Sequence, residues 1–157
     1  MKRIFITICA LIFIVGCKSE TKNEDSNPEA EVETISILDT LALKLNANQK
    51  WIANAETHEG VLKMDSIMSA FKTNKSTDYK SLGNKLSKQT SYIIKHCSMK
   101  GEPHDQLHVV LIPMLDEISV LREENDAQKT KMAFHNMEQL IGAYFKFFTN
   151  DINHVFQ

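Results

Sequence analysis

Residues 96–108 contain three kinds of side chain that bind metal ions. The donors in this segment are His96, Cys97, Met99, His104 and His108. Imidazole nitrogen, thiolate sulfur and thioether sulfur suit copper or zinc and suit calcium or magnesium poorly. A Gly-Glu-Pro sequence at residues 101–103 divides the cluster and predicts a turn before a new helix. The segment therefore predicts a copper or zinc site built across a turn between two helices.

The elements that position these donors are predicted helices, because apolar residues recur at steps of three and four on both sides of the turn. Before the turn, the stripe comprises Tyr79, Leu82, Leu86, Thr90, Ile93 and Cys97. After the turn, it comprises His104, Leu107, Leu111, Met114, Ile118 and Leu121. Cys97 and His104 thus share the core-facing line of their helices, and the turn brings them to one end of the fold.

Two more helices are predicted, one before and one after this pair. The first ends near residues 73–74, and its apolar face comprises Trp51, Ile52, Ala55, Val61, Leu62, Met64, Ile67, Met68 and Phe71. The last follows a polar break at 123–126, and its inward residues are Met132, Ala133, Met137, Leu140, Ile141, Tyr144, Phe147 and Phe148. Four amphipathic helices with short connections predict an all-α domain over residues 35–157, an up-down-up-down four-helix bundle. No strand is predicted.

The bundle topology extends the set of candidate ligands. Counting a rise of about 1.5 Å per residue from each turn places His58 and Tyr144 near the level of Cys97. His104 and His108 are four residues apart on one helix, a spacing that allows both imidazoles to hold one ion. The predicted donors are Cys97, His104 and His108, with Met99, His96 or His58 completing the coordination. The structural alternative is that these histidines are hydrogen-bonded core residues and that Cys97 is a small buried hydrophobe.

The N-terminus has the features of a secretory signal. Lys2 and Arg3 precede an apolar run at residues 4–15, which is too short to span a bilayer. The run closes on Ile14, Val15, Gly16 and Cys17, and this quartet resembles the lipobox of bacterial lipoproteins.

This resemblance implies that residues 1–16 are a signal peptide and that Cys17 is the lipidated first residue of the mature protein. Lys18 stands where some family members carry an inner-membrane retention aspartate, which favours an outer-membrane location over an inner-membrane one. The sequence leaves open whether the domain faces the periplasm or the cell surface.

Composition and charge exclude several partners. Residues 17–34 are polar and acidic, which predicts a flexible linker. The chain has 18 basic and 20 acidic residues, and removal of the signal leaves 16 against 20, a net charge of −4. Because the chain has no basic stripe or polybasic patch, nucleic acid is not an expected partner, and membrane attachment depends on the lipid.

Cys9 leaves with the signal and Cys17 is acylated, so Cys97 is predicted to be the one free thiol in an oxidising compartment.

The sequence thus predicts a membrane-anchored lipoprotein that binds copper or zinc for storage, delivery or homeostasis, and no enzymatic activity is predicted. Two alternatives remain open. One is a non-covalent b-type haem, held in the bundle by two histidines or by a histidine and a methionine. The other is a metal-free interaction or adaptor lipoprotein whose protein partner is unknown. A Cys–His hydrolase is disfavoured, because Cys97 on a core-facing line lacks the exposed electropositive setting that activates a thiolate.

Overall fold

The structure is a computed structural model that describes residues 36–150. Within this range the chain forms four α-helices, which are α1 (Ala55–Thr73), α2 (Tyr79–His96), α3 (Glu102–Glu123) and α4 (Ala127–Phe147). Each helix packs against the next along the chain, and this confirms the predicted all-α four-helix bundle. The predictions for the signal peptide (1–16), for Cys17 and for the linker (17–34) lie outside the described residues.

The helix boundaries follow from capping residues in the sequence. The Asp78 carboxylate accepts a hydrogen bond from the backbone N–H of Ser81 at 2.9 Å, at the start of α2. The Asp126 carboxylate accepts two such bonds at the start of α4, at 2.7 and 3.1 Å. These caps satisfy amides that have no partner within the helix. The start of α2 therefore coincides with the first residue of its predicted stripe and α4 follows the predicted polar break, while α3 begins at Glu102, within the predicted Gly-Glu-Pro turn.

The core lies between the four helices and follows the predicted stripes of the two central ones. On α2 and α3 the buried members of those stripes are Leu82, Leu86, Thr90, Ile93, Leu107, Leu111, Met114, Ile118 and Leu121. Cys97 and His104 continue the same lines and are half-buried. Both therefore lie where the core meets the solvent, at the end of the bundle.

The prediction that Trp51, Ile52 and Phe148 are helical is wrong. Trp51–Ile52 form strand β1 and Phe148–Thr149 form strand β2, which pair in parallel with Trp51 opposite Phe148. The Ala53 N–H extends this pairing by donating to the Thr149 carbonyl at 2.7 Å. Trp51 lies four residues before Ala55 and so fits a helical spacing, but its partner is far along the chain, where local periodicity carries no signal.

Besides Ile52 and Ala55, which are exposed at the entry to α1, two residues assigned to buried faces further along the helices are exposed. Leu62 is 46% exposed and Met132 is 50% exposed. Their immediate neighbours, Val61 and Ala133, are each 1% exposed and occupy the inward positions. Successive residues are about 100° apart around a helix, so an apolar pair leaves open which member faces the core. Both predictions of burial are therefore wrong.

The segment before α1 is attached to α3 and α4 by hydrogen bonds. Ser36 donates to the Gln139 side chain on α4 at 3.0 Å, and the Lys44 N–H donates to the Gln106 side chain on α3 at 2.8 Å. The Trp51 indole N–H then donates to the Lys44 carbonyl at 2.7 Å. No helix within residues 36–150 combines the length and the apolar character that crossing a bilayer requires.

Candidate metal centre

The central pair of the site is Cys97 and His104, on either side of the turn from α2 to α3. The Cys97 Sγ lies 3.6 Å from the His104 Nδ1. Cys97 is the C-cap of α2, and the chain reverses through Gly101, whose φ of +65° is a conformation that favours glycine. The turn therefore brings the thiol and the imidazole together, as the sequence predicts.

The Sγ–Nδ1 distance is compatible with two kinds of interaction. One is a hydrogen bond between the thiol group and the imidazole. The other is chelation of a metal ion. With bonds of about 2.3 Å to sulfur and about 2.0 Å to nitrogen, an ion bridging atoms 3.6 Å apart would have an S–metal–N angle of about 110°. That angle is near the tetrahedral value and close to the trigonal one, so the separation of these two atoms is compatible with their binding one ion.

His108 extends the pair toward solvent. Its ring centroid lies 4.3 Å from that of His104, with the two rings tilted by 56°. His108 is exposed and His104 is half-buried. The two imidazoles therefore lie next to each other along α3, with His104 beside Cys97 and His108 at the surface.

Tyr144 and His58 form a second polar pair at this end of the bundle. The Tyr144 hydroxyl lies 3.2 Å from the His58 Nδ1, and the tyrosine is fully buried, with its ring stacked 5.0 Å from that of Phe148. Burial, reinforced by the negative charge of a Cys97 thiolate, holds the pKa of Tyr144 well above its usual value. Burial and the nearby Lys50 ammonium lower the pKa of His58. Both shifts favour the neutral forms of the two groups, which share one hydrogen bond between the Tyr144 hydroxyl and the His58 Nδ1.

The remaining predicted donors are less closely associated with Cys97 and His104. His96 is exposed, and its Nδ1–H donates to the Tyr92 carbonyl of its own helix at 2.8 Å. Its ring lies 4.4 Å from that of Tyr92. Met99 is half-buried against the hydrophobic core. His58 contacts Tyr144, as described above, so the structure divides the predicted ligand set into separate groups around one end of the fold.

The donor count bears on which ion the site can hold. Among residues 36–150, no three His, Cys, Asp or Glu side chains converge in a way that could hold a metal ion. Structural zinc sites use four protein ligands and catalytic zinc sites usually use three. Cys97 and His104 supply one thiolate and one imidazole, and thiolate sulfur is a soft donor. Two donors are therefore fewer than a zinc site uses.

The sequence indicated no role for Tyr144 beyond its level in the bundle. It is the one tyrosine hydroxyl within an otherwise apolar stripe of α4, and that hydroxyl needs a partner when buried. This isolated hydroxyl was the feature of the sequence that could have indicated a buried polar contact. His58 on α1 supplies the partner, and only the packing of α1 against α4 establishes that contact.

Comparisons of the chain with protein-family profiles, with curated proteins and with solved structures found no match. The fold and the site define a four-helix bundle with a Cys–His pair at one end. Functional inference therefore rests on the residues of this chain and their geometry.

Proposed function

We propose that this protein is a lipid-anchored protein of the bacterial cell envelope that binds a soft metal ion, with Cu(I) preferred to Zn(II). Cys97 and His104 supply the primary bonds, and Met99 is the nearest further sulfur in the sequence. The single observation that carries the proposal is the distance of 3.6 Å between the Cys97 Sγ and the His104 Nδ1. The proposed role is copper storage or delivery.

The chemical character of the pair supports this proposal. Thiolate sulfur is a soft donor, and soft donors favour Cu(I) over harder divalent ions. The half-buried position of both residues limits solvation of the bound ion while leaving one side open. On binding, Cu(I) replaces the thiol proton of Cys97, so binding releases a proton and the affinity for Cu(I) should rise with pH.

The N-terminal sequence supports the proposed location. Residues 14–17 have the order of a lipobox, and Cys17 is the residue that would carry the lipid. The acidic stretch after Cys17 would act as a spacer between the membrane and the bundle. Attachment by acyl chains needs no membrane-spanning helix.

The test is metal analysis of the full chain, purified in detergent without a metal-binding affinity tag. After anaerobic loading with Cu(I) or Zn(II) and removal of unbound metal, we expect about one copper per chain and less zinc. Because a ligand that binds the folded state stabilises it, Cu(I) should also raise the melting temperature. A Soret band would indicate haem instead. A colourless protein whose melting temperature ignores both ions would overturn the proposal in favour of the adaptor alternative.

A further inference from the structure

The candidate centre has one side that solvent can reach and one side that it cannot. Behind Cys97 and His104 lie core residues with almost no exposure, including Ile93 at 0%, Leu107 at 1% and Tyr144 at 0%. An ion cannot enter from that side without opening the bundle. On the solvent side, His108 is exposed and its ring lies 4.3 Å from that of His104.

A soft ion that is tightly bound by a carrier leaves it fastest when a new donor attaches before the old one detaches. An exposed imidazole is suited to that first step, because it can approach a carrier complex without steric hindrance from the core. The His108 ring is also near enough to His104 for an ion to transfer between the two imidazoles without being released to water. The i,i+4 spacing on a rigid helix fixes this arrangement.

We propose that His108 is an exchange ligand, through which Cu(I) enters and leaves the centre formed by Cys97 and His104; this inference rests on the proposed function. In the first step, a Cu–N bond to His108 forms as one bond to the carrier breaks. In the second, bonds to His104 and Cys97 form, the remaining carrier bonds and the His108 bond break, and the Cys97 thiol proton passes to the buffer. Copper stays Cu(I) throughout, so no oxidant or reductant is needed.

This role has a kinetic consequence that a permanent ligand would not show. A residue that stabilises only the transfer intermediate accelerates entry and release by the same factor, because the ratio of the two rates is the equilibrium constant. Removal of the His108 imidazole should therefore slow both directions equally and leave the affinity for Cu(I) unchanged. Loss of a permanent ligand would instead lower the affinity.

The experiment follows Cu(I) transfer between the detergent-solubilised full chain and a chromophoric bidentate Cu(I) chelator, in both directions, by anaerobic stopped-flow absorbance. We compare the wild type with His108→Ala and with His135→Ala, a matched removal of an exposed histidine from α4. For His108→Ala we expect about tenfold slower transfer each way, equivalent to about 1.4 kcal/mol in the barrier, with an unchanged equilibrium position. His135→Ala should match the wild type.

Unchanged transfer rates in His108→Ala would overturn the inference. A lower affinity in that variant, with release as fast as or faster than in the wild type, would also overturn it and make His108 a permanent ligand. Failure of the wild type itself to take Cu(I) from the chelator or from buffer would instead overturn the proposed function. The two failures are therefore distinguishable.

Discussion

The Nδ1 of His58 on α1 lies 3.2 Å from the hydroxyl oxygen of Tyr144 on α4, and this contact joins the first and last helices beside the Cys97–His104 pair. The helices meet here through a polar interaction between two groups whose pKa shifts both favour the neutral form. Protonation of His58 would place a charge in a half-buried position near the Lys50 ammonium. The first prediction follows from this electrostatic cost.

Acidification should destabilise the fold through His58. Because its folded pKa is lowered from 6.5, the unfolded chain binds the proton first as pH falls, so stability declines from about pH 6.5 down to the folded pKa and then levels off. In His58→Gln, whose amide can still bond Tyr144, the unfolding free energy from urea titrations should fall less between pH 7.5 and 5.5. The exposed His135→Gln is the control and should keep the wild-type slope. Equal slopes in all three proteins would contradict the prediction.

Glu117 should have the opposite effect on pH dependence. Burial raises the pKa of this carboxyl on α3, with the charge of Asp116 adding to the effect, although Asn136 donates a hydrogen bond to it at 2.9 Å. The folded state therefore holds this proton more tightly, and stability is lost as pH rises through the folded pKa. Glu117→Gln should raise the urea midpoint at pH 7 and have little effect at pH 4. Glu123→Gln, at an exposed site on the same helix, should show no such pH-dependent gain.

The Cys97 and His104 side chains should each be required for metal retention. Cys97→Ala and His104→Ala should each reduce copper from about one per chain to a trace after desalting, because each variant removes one of the two primary bonds to the ion. Elemental analysis measures this directly. His135→Ala, on the surface of α4, should retain copper as the wild type does. Equal losses from all three variants would show that the centre is misplaced.

The close approach of α1 and α2 depends on Gly60. A Cβ built at this residue would lie 2.9 Å from the Cδ1 of Ile93, a side chain with no exposure and no room to move. We expect Gly60→Ala to cost about 1–3 kcal/mol through this overlap. Gly142→Ala is the matched control, since nothing lies within 4 Å of its added Cβ, and helix propensity should make it neutral or stabilising by up to about 1 kcal/mol. Thermal unfolding of both variants checks the difference, and a similar shift in both would contradict it.

Membrane attachment should depend on Cys17. In Cys17→Ser, which cannot be lipidated, the protein should no longer partition with the envelope membranes, because no polybasic segment replaces the acyl chains. Fractionation followed by mass spectrometry of the N-terminal peptide measures both location and lipid. Cys9→Ser lies within the proposed signal peptide and should leave attachment unchanged. Retention of Cys17→Ser in the membrane fraction would exclude the lipoprotein proposal.

Local sequence signals were sufficient for the helices but insufficient for the ends of the bundle. The starts of α2 and α4 lie at the predicted stripe and polar break, where Asp78 and Asp126 cap the helices, because capping depends on residues within one turn. The buried residues of α2 and α3 were predicted from the apolar residues that recur at helical spacing. This worked because each of these helices packs against both the preceding and the following helix. The position of Trp51 could not be derived in this way, because it depends on pairing with Phe148, almost a hundred residues away.

The candidate centre was predictable only in part, for a related reason. The meeting of Cys97 and His104 followed from their places on either side of one short turn. The conformation of a side chain is decided by its neighbours in space, and so the sequence did not indicate that His96 would bond the Tyr92 carbonyl. It likewise did not indicate that His58 would contact Tyr144 instead of a shared ion.

The pairing of β1 with β2 places the backbone before the first helix beside the backbone after the last one. This pairing joins the two ends of the four-helix unit directly, in addition to the loops that connect one helix to the next. A circular permutant of residues 36–150, with a linker joining its two ends and new ends opened in the turn between Thr73 and Asp78, should keep both this strand pairing and the hairpin that carries Cys97 and His104. The paired strands already bring the start and the end of the four-helix unit side by side, so the bundle should tolerate a cut in a different loop.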